Sequence, residues 1–208
     1  MAALSAFYPF IAPLVPGAPS IAIQQAALQG CIEFCERTLT LQRKLVAVNT
    51  VADQAAYTLT QAGEVVAKLL GAKLDGKPLA LVVPADLDDD DDITLSAAAP
   101  VEIELTGTMQ VTLRPPPSVA SLPLVVRAAM RPSQAATTVD DALFERHAQS
   151  IAHWAAHHLK TVNKDAPYFD RAGAELALAK FVDAVAAERA RMLRNRSRAK
   201  RRPAVRWA

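Results

Sequence analysis

The sequence is poor in several residue types on which common functional sites depend. Its 208 residues include two cysteines, seven glycines and only 5% aromatics. With so few glycines, the chain holds no glycine-rich loop of the kind that cradles phosphates. It also has no run of 18 or more apolar residues, so we expect no membrane span. No Lys or Arg precedes Arg37, so the apolar N-terminus does not resemble a signal peptide.

The two cysteines and the histidines do not form a recognisable metal or catalytic motif. Cys31 and Cys35 lie four residues apart on one face of a predicted helix, where the backbone is too constrained for a good disulfide between them. Two cysteines are also too few ligands for a zinc site. We interpret them as small buried apolar side chains in a reducing compartment. His153 and His157 are one helical turn apart, but their segment, His-Trp-Ala-Ala-His-His, lacks the glutamate of a zinc-protease motif. A core or interfacial role is favoured for these histidines, with a metal site as the alternative.

Other residues that invite chemistry also lack the required surroundings. Ser133 and Ser150 are not in the sequence context of a nucleophile elbow. The aspartates at 86 and 88–92 lack the alternating ligands and the glycine of a calcium loop, so we interpret them as a solvated connection. The sequence therefore predicts a protein that is not an enzyme and that binds no metal or cofactor.

Apolar periodicity predicts three main helices and seven strands. The first helix begins at Ser20 as N-cap and ends near residue 41, and the last runs over residues 171–195. The helix at 139–162 has Thr138 as a possible N-cap, with Asp141 completing a capping box. Period-two alternation predicts strands at residues 45–51, 56–59, 65–74, 79–83, 101–105, 111–114 and 122–128. Asp75-Gly76 predicts a type I′ hairpin turn between the third and fourth strands.

These elements predict an α+β fold, in which a bundle of three main helices carries an inserted antiparallel β module and an extended C-terminal arm. We divide the chain into an N-terminal segment with the first helix (1–43), the β insert (44–131), the rest of the bundle (132–195) and the arm (196–208). Residues 1–19 are too rich in proline for a regular helix, so their apolar side chains need a surface on which to dock.

Charge is distributed very unevenly along the chain. The net charge is +2, but residues 189–208 contain nine basic residues and no acid. Residues 1–188 carry the other 14 basic residues and all 21 acids, a charge of about −7. The basic end therefore fits three roles: phosphate binding, docking on an acidic protein with Trp207 as an anchor, or a disordered solubilising tail. The acidic body favours docking, because copies in a ring could attract a neighbour's arm.

Several short motifs, taken in order, resemble a family of tailed-phage proteins that join the capsid to the tail. In the first half they are Phe7-Tyr8-Pro9, Pro13, Val15-Pro16-Gly17-Ala18-Pro19, Ala26-Ala27-Leu28-Gln29 and Glu33-Phe34-Cys35-Glu36-Arg37-Thr38. In the second half they are Leu124-Val125-Val126-Arg127, Met130-Arg131-Pro132-Ser133, Leu143-Phe144-Glu145, Ile151-Ala152, Phe181-Val182 and Ala190-Arg191. The chain is similar to head-to-tail adaptor proteins, also called connector or neck proteins.

The resemblance implies a structural virion protein, made in the cytoplasm of the host bacterium. About a dozen copies would form a ring that docks under the portal protein ring, receives the tail nozzle or tube, and lines the channel through which genomic DNA leaves. The residues assigned to the portal-binding arm are Arg191, Arg194, Arg198, Lys200, Arg201, Arg202, Arg206 and Trp207. Tyr8, Phe10, Pro13 and Pro16 are assigned to contacts between subunits. The alternative is a helical nucleic-acid-binding protein that grips phosphates through its basic tail.

Overall fold

The computed structural model describes the fold of residues 1–82 and 99–196. In these ranges a 3₁₀ turn at Leu4–Phe7 is followed by helices α1 (Tyr8–Ile11), α2 (Ser20–Thr38), α3 (Asp141–Val162) and α4 (Arg171–Arg196). The strands are β1 (Ala2–Ala3), β2 (Gln42–Lys44), β3 (Val48–Asn49), β4 (Ala56–Thr58), β5 (Glu64–Leu74), β6 (Lys77–Val82), β7 (Glu102–Leu105), β8 (Gln110–Arg114), β9 (Pro123–Pro132) and β10 (Thr138–Val139). No helix in the described ranges is long and apolar enough to cross a membrane.

A large curled sheet of eight strands dominates the structure. Its strand order is β2-β9-β5-β6-β7-β8-β4, and β3 also pairs with β9. The long central strands β5 and β9 run antiparallel with two irregularities in register, between Val66 and Lys68 and between Leu69 and Gly71. Such irregularities bend a strand and increase its twist, which is consistent with the curl of this sheet.

The predicted fold class is wrong. The structure is not a three-helix bundle with a small inserted antiparallel module: four helices accompany a sheet of eight strands, and that sheet is mixed. Its parallel pair is β6 and β7, where Leu81 lies opposite Ile103. Alternation along a strand shows which side chains are buried but not which strand is the neighbour. The connection of residues 83–101 is long enough to bring β7 back parallel to β6.

The start of α3 also differs from the prediction. Thr138 is not its N-cap, because Thr138 and Val139 form β10 and pair with Ala3 and Ala2 of β1. Asp140 occupies the N-cap position instead, and its Oδ1 accepts a 2.8 Å hydrogen bond from the Ala142 N–H. The short ladder joins the N-terminus to the beginning of α3, a pairing between distant segments that no local pattern indicates.

Two local predictions agree with the structure, the second of them in part. Asp75 and Gly76 both have positive φ, 48° and 78°, as a type I′ turn between β5 and β6 requires. The first long helix lies in the predicted region, but Pro19 rather than Ser20 is its N-cap, and it ends after Thr38, short of the predicted end near residue 41, because Leu39 adopts a left-handed conformation.

The helices pack against one another, and α2 lies against β9 and β5 of the sheet, so a continuous apolar core runs between the two layers. Phe7, Phe34 and Phe181 are fully buried in this core. The α2–α3 contact is close: a Cβ built on Gly30 would lie 3.1 Å from both Cγ2 and the carbonyl oxygen of Ile151. Glycine at this position lets the two helix backbones approach each other.

Candidate interaction surfaces

The C-terminal end of α4 is tied to the body by a buried carboxylate. Glu188 accepts hydrogen bonds from Arg191 Nε at 2.7 Å and from Arg191 Nη2 at 2.5 Å. Thr40 Oγ1, in the turn between α2 and β2, donates to the same carboxylate at 2.8 Å. His147 Nε2 of α3 lies 3.9 Å from it. The Glu188 side chain is only 6% exposed, so these contacts join three separate segments.

The electrostatics of this junction follow from its contacts. The hydrogen bond from Arg191 lowers the pKa of Glu188, with further contributions from Thr40 and His147 that outweigh the cost of burial. Burial lowers the pKa of His147, which favours the neutral imidazole. The His147 ring lies against Phe34, with centroids 4.6 Å apart. Glu188 therefore stays ionised, binds Arg191 within α4 and links this helix to Thr40 and to α3 near His147.

Beyond this junction the last residues of α4 that can be described point away from the core. Leu193 is 69% exposed, and the Arg194 guanidinium donates only to the Ala190 carbonyl of its own helix, at 3.3 Å, among the described contacts. Two residues of the predicted arm are therefore described. Arg191 lies at the Glu188 junction, and Arg194 lies on the exposed end of α4 that follows it. The other assigned residues, Arg198, Lys200, Arg201, Arg202, Arg206 and Trp207, lie outside the described residues, as do the aspartates at 86 and 88–92.

The second candidate surface is the N-terminal apolar segment. All four residues assigned to subunit contacts, Tyr8, Phe10, Pro13 and Pro16, are exposed. Phe10 makes an edge-to-face contact with Phe144 of α3, with centroids 5.9 Å apart, and buried Phe7 makes a second contact of this kind with the same ring at 5.0 Å. No charged side chain occurs before Glu33 in the sequence. The N-terminal segment is thus anchored on α3 by aromatic contacts and exposes aromatic and proline side chains.

The cysteines are buried as predicted. Cys31 and Cys35 are both fully enclosed in the core as free thiols, and burial raises the pKa of Cys35 to about 12. A thiol with so high a pKa is almost entirely protonated at neutral pH and is a poor nucleophile. These two side chains therefore act as core packing residues.

The histidines have separate structural contacts. His157 Nδ1 lies 3.1 Å from the Ala174 carbonyl oxygen, a contact between α3 and α4. His158 is stacked on Trp154 with centroids 5.1 Å apart. Within residues 1–82 and 99–196, no group of three or more His, Cys, Asp or Glu side chains is arranged to hold a metal ion. The contacts described for His157 and His158 are thus an interhelical contact and a ring stack within α3.

Sequence reasoning missed one polar cluster between the sheet and α3. Arg43 on β2 forms ion pairs with Glu64 of β5, at 3.1 Å, and with Asp140, the N-cap of α3. Desolvation raises the pKa of Asp140, but hydrogen bonds from Arg43 and the Ala142 N–H outweigh it, so this pKa lies below its usual value. The three residues are far apart in sequence, and only the tertiary fold brings them together. The two ion pairs of Arg43 attach the start of α3 to the sheet.

An anchored basic helix end and an N-terminal segment with exposed aromatic side chains are features of a scaffold that contacts other protein chains. The comparison with protein families agrees: the model for the SU10 adaptor protein matches residues 14–206, and the chain belongs to this family of phage head-to-tail adaptors. The resemblance inferred from the short motifs is thereby confirmed. A search of curated proteins returns no match. Membership implies a structural component of the virion that associates with other head or tail proteins, a class that is not typically enzymatic.

Proposed function

We propose that the protein is a ring-forming adaptor at the head–tail junction of the virion, which docks under the portal ring through its C-terminal residues and receives the tail. In this proposal twelve copies surround the channel through which the genome leaves, and the nozzle or tube protein binds the opposite end of the ring. The observation that carries the proposal is the family match over residues 14–206.

Two features of the chain support the assignment of the portal contact to residues 191–207. The hydrogen bond from Thr40 to Glu188 ties α4 to the body, so the basic segment that begins one helical turn later starts from a defined place. That segment carries the excess positive charge of the chain and ends in Trp207, a residue type suited to a buried interface anchor. Arg191 would then have two roles, as the base of the arm and as part of its basic surface.

Truncation after Asn195 tests the arm. The truncated protein should unfold at the same temperature as the full chain, because the residues removed lie beyond the Glu188 junction, but it should no longer attach to portal rings. Negative-stain electron microscopy of the two proteins mixed with portal measures attachment, and class averages give the symmetry and polarity of the complex. Normal capping of portal rings by the truncated protein would refute the assignment.

Two further variants separate charge from the aromatic anchor. One replaces Arg198, Lys200, Arg201, Arg202 and Arg206 with Ser and keeps Trp207, and the other is Trp207→Ala alone. If electrostatics drive docking, the first variant loses attachment, and attachment of the unchanged protein weakens strongly as the salt concentration rises. If the indole is the hot spot, the second loses it at every salt concentration.

The basic segment also supports a second candidate function, direct binding of nucleic acid. A row of nine basic residues without acids is the kind of sequence that neutralises phosphates. In this case the affinity for a 30-base-pair duplex should fall by about 10³-fold or more between 50 and 200 mM salt. The adaptor proposal instead expects negligible duplex binding at 150 mM salt.

A further inference from the structure

The face of the sheet that points away from the helices carries an unusual arrangement of positive charge. Lys44 of β2 and Arg127 of β9 are direct cross-strand partners. Like charges in this position, with Cα atoms about 4.5–5.5 Å apart, repel each other and destabilise a sheet. Both side chains are exposed. Arg127 Nη2 donates to Gln42 Oε1 at 2.8 Å, which orients the guanidinium but does not neutralise it.

A third cation extends this surface across the neighbouring strand. Lys73 of β5 pairs with Val125, two residues from Arg127 on β9, so all these side chains share one face. Lys44, Lys73 and Arg127 line a groove of about 720 Å³ whose other lining residues are uncharged. Among the described residues none of the three cations takes part in an ion pair, and the nearest acid along β5, Asp75, lies beyond Lys73 in the hairpin turn.

The floor of the groove is apolar. Leu70, Pro78 and Val125 line it, and Gly71 contributes no side chain, which leaves a concave space beside Arg127. Strand spacings of about 4.8 Å and a rise of about 3.3 Å per residue place the Cα atoms of Lys44 and Lys73 about 12 Å apart. An extended peptide with carboxylates on alternate residues spans that distance, with its apolar side chains on the floor and its acids beside the cations.

We propose that this groove, which we call the basic sheet groove, is a docking site for an extended acidic segment of another protein chain. The like-charged pair Lys44–Arg127 is costly to the sheet alone and becomes favourable when an anionic partner lies over it. The apolar floor favours a peptide over duplex DNA, since protein–DNA interfaces are dominated by polar and phosphate contacts. This surface is separate from the arm and the N-terminal segment, so the inference does not depend on the proposed function.

The test uses the full chain and three fluorescein-labelled probes: a peptide of alternating Glu and Val, a peptide of alternating Glu and Gly, and a 30-base-pair duplex. The Glu-Val peptide should bind most tightly in fluorescence anisotropy at 150 mM salt. Arg127→Glu should weaken its binding at least tenfold, and the Glu-Gly peptide should bind more weakly than the Glu-Val peptide because it cannot fill the floor. Lys164→Glu makes the same charge change at an exposed position elsewhere and should leave binding unchanged.

A second readout separates docking from a structural role. Arg127→Glu converts the repulsive cross-strand pair with Lys44 into an attractive one, so its urea midpoint should rise while peptide binding falls. The proposal is overturned if no peptide binds, if Arg127→Glu and Lys164→Glu behave alike, or if the duplex binds as tightly as the Glu-Val peptide and loses affinity in the same variant. It is also overturned if deleting residues 86–92 is needed before the peptide binds, because the groove then serves this chain's own aspartates.

Discussion

Glu188 shows how one buried acid organises a terminus on which the proposed function depends. It receives Arg191 from its own helix and Thr40 from the turn after α2, and it lies near His147 of α3. Hydrogen bonds to a charged group of this kind each contribute about 1.5–3 kcal/mol, although Arg191 is partly exposed and solvent screens its share. Glu188 therefore stabilises the fold and also helps to fix the orientation of the last turns of α4.

Glu188→Gln should destabilise the protein by about 1–3 kcal/mol at pH 7, because the amide keeps the shape but removes the charge that Arg191 and Thr40 contact. Urea unfolding measures this loss. Glu175→Gln is the control on the same helix: its partner Arg171 is 3.5 Å away and both are highly exposed, so we expect a change within about 0.5 kcal/mol.

The same variant carries a pH dependence with a definite sign. The pKa of Glu188 is lower in the folded protein than its usual 4.5, so its ionised form stabilises the fold above pH 4.5. This contribution is lost as the pH falls through the lower, folded pKa. The stability gap between wild type and Glu188→Gln should therefore be constant above about pH 5 and narrow below pH 4.5. A gap that stays constant down to pH 3 would contradict the assigned role of the carboxylate.

Gly30 is a residue whose effect comes from space alone. A methyl group there would press on the Ile151 carbonyl at 3.1 Å, and that backbone atom cannot rotate away. Gly30→Ala gains about 1 kcal/mol of helix propensity but meets an overpacking cost of about 1–3 kcal/mol. We expect net destabilisation of about 1 kcal/mol by thermal unfolding. Gly71→Ala, with nothing within 4 Å of the new Cβ, should be near neutral, and stabilisation by Gly30→Ala would show that α2 and α3 are free to separate.

At the level of elements, α3 begins where local capping and tertiary contact meet. Asp140 caps the helix and also pairs with Arg43, so it stabilises both α3 itself and its attachment to β2. Thr138, the N-cap that local sequence favours, is committed to a strand. Both residues are acceptable N-caps by type, and the β1–β10 ladder decides between them because it fixes Thr138 in an extended pairing.

Substitutions at these two positions should separate the two possible starts of α3. Asp140→Ala should cost about 1–2 kcal/mol from the lost cap, with a further loss from the broken pair with Arg43. Asp140→Asn should recover the cap but not the pair, and Thr138→Ala should change stability by no more than about 0.5 kcal/mol. Urea unfolding followed by far-ultraviolet circular dichroism measures all three. A larger loss of unfolding free energy in Thr138→Ala than in Asp140→Ala would instead support the capping box predicted from the sequence.

At the level of the whole molecule, assembly should depend on surfaces that contribute little to the fold of one copy. Tyr8 is 45% exposed in an N-terminal region without charged side chains. A head-to-tail ring needs two different surfaces on each subunit, and an uncharged aromatic patch is suited to be one of them. Introducing a charge there leaves the core unchanged and places an unpaired carboxylate in the proposed interface.

Tyr8→Asp should therefore change the stability of the isolated chain by no more than about 0.5 kcal/mol but prevent ring formation on portal. Thermal unfolding and electron microscopy of mixtures with portal give the two measurements. Val119→Asp adds the same charge at an exposed apolar position, 56% accessible, in the connection before β9 and should assemble normally. Complete rings formed by Tyr8→Asp would remove the N-terminal segment from the proposed contacts.

Much of the secondary structure and the family could be inferred from the sequence, because these depend on local signals. The Asp75-Gly76 turn follows from residue types that accept positive φ, and the extent of α3 and α4 follows from apolar spacing. Short motifs spread along the chain gave the resemblance to the adaptor family, and the family model matches residues 14–206. These features can be inferred without knowing which elements lie next to them in the fold.

The tertiary structure alone decided how these pieces join. Strand alternation left the partner of each strand undetermined, so the expected helical bundle with an antiparallel insert was wrong, and the sheet is mixed and has eight strands. The Thr40–Glu188 contact, the Arg43 cluster and the repulsive Lys44–Arg127 pair each join residues from distant segments. Their energies depend on distance and burial, which exist only once the chain has folded, whereas turn and helix preferences are already present in each short segment of the unfolded chain.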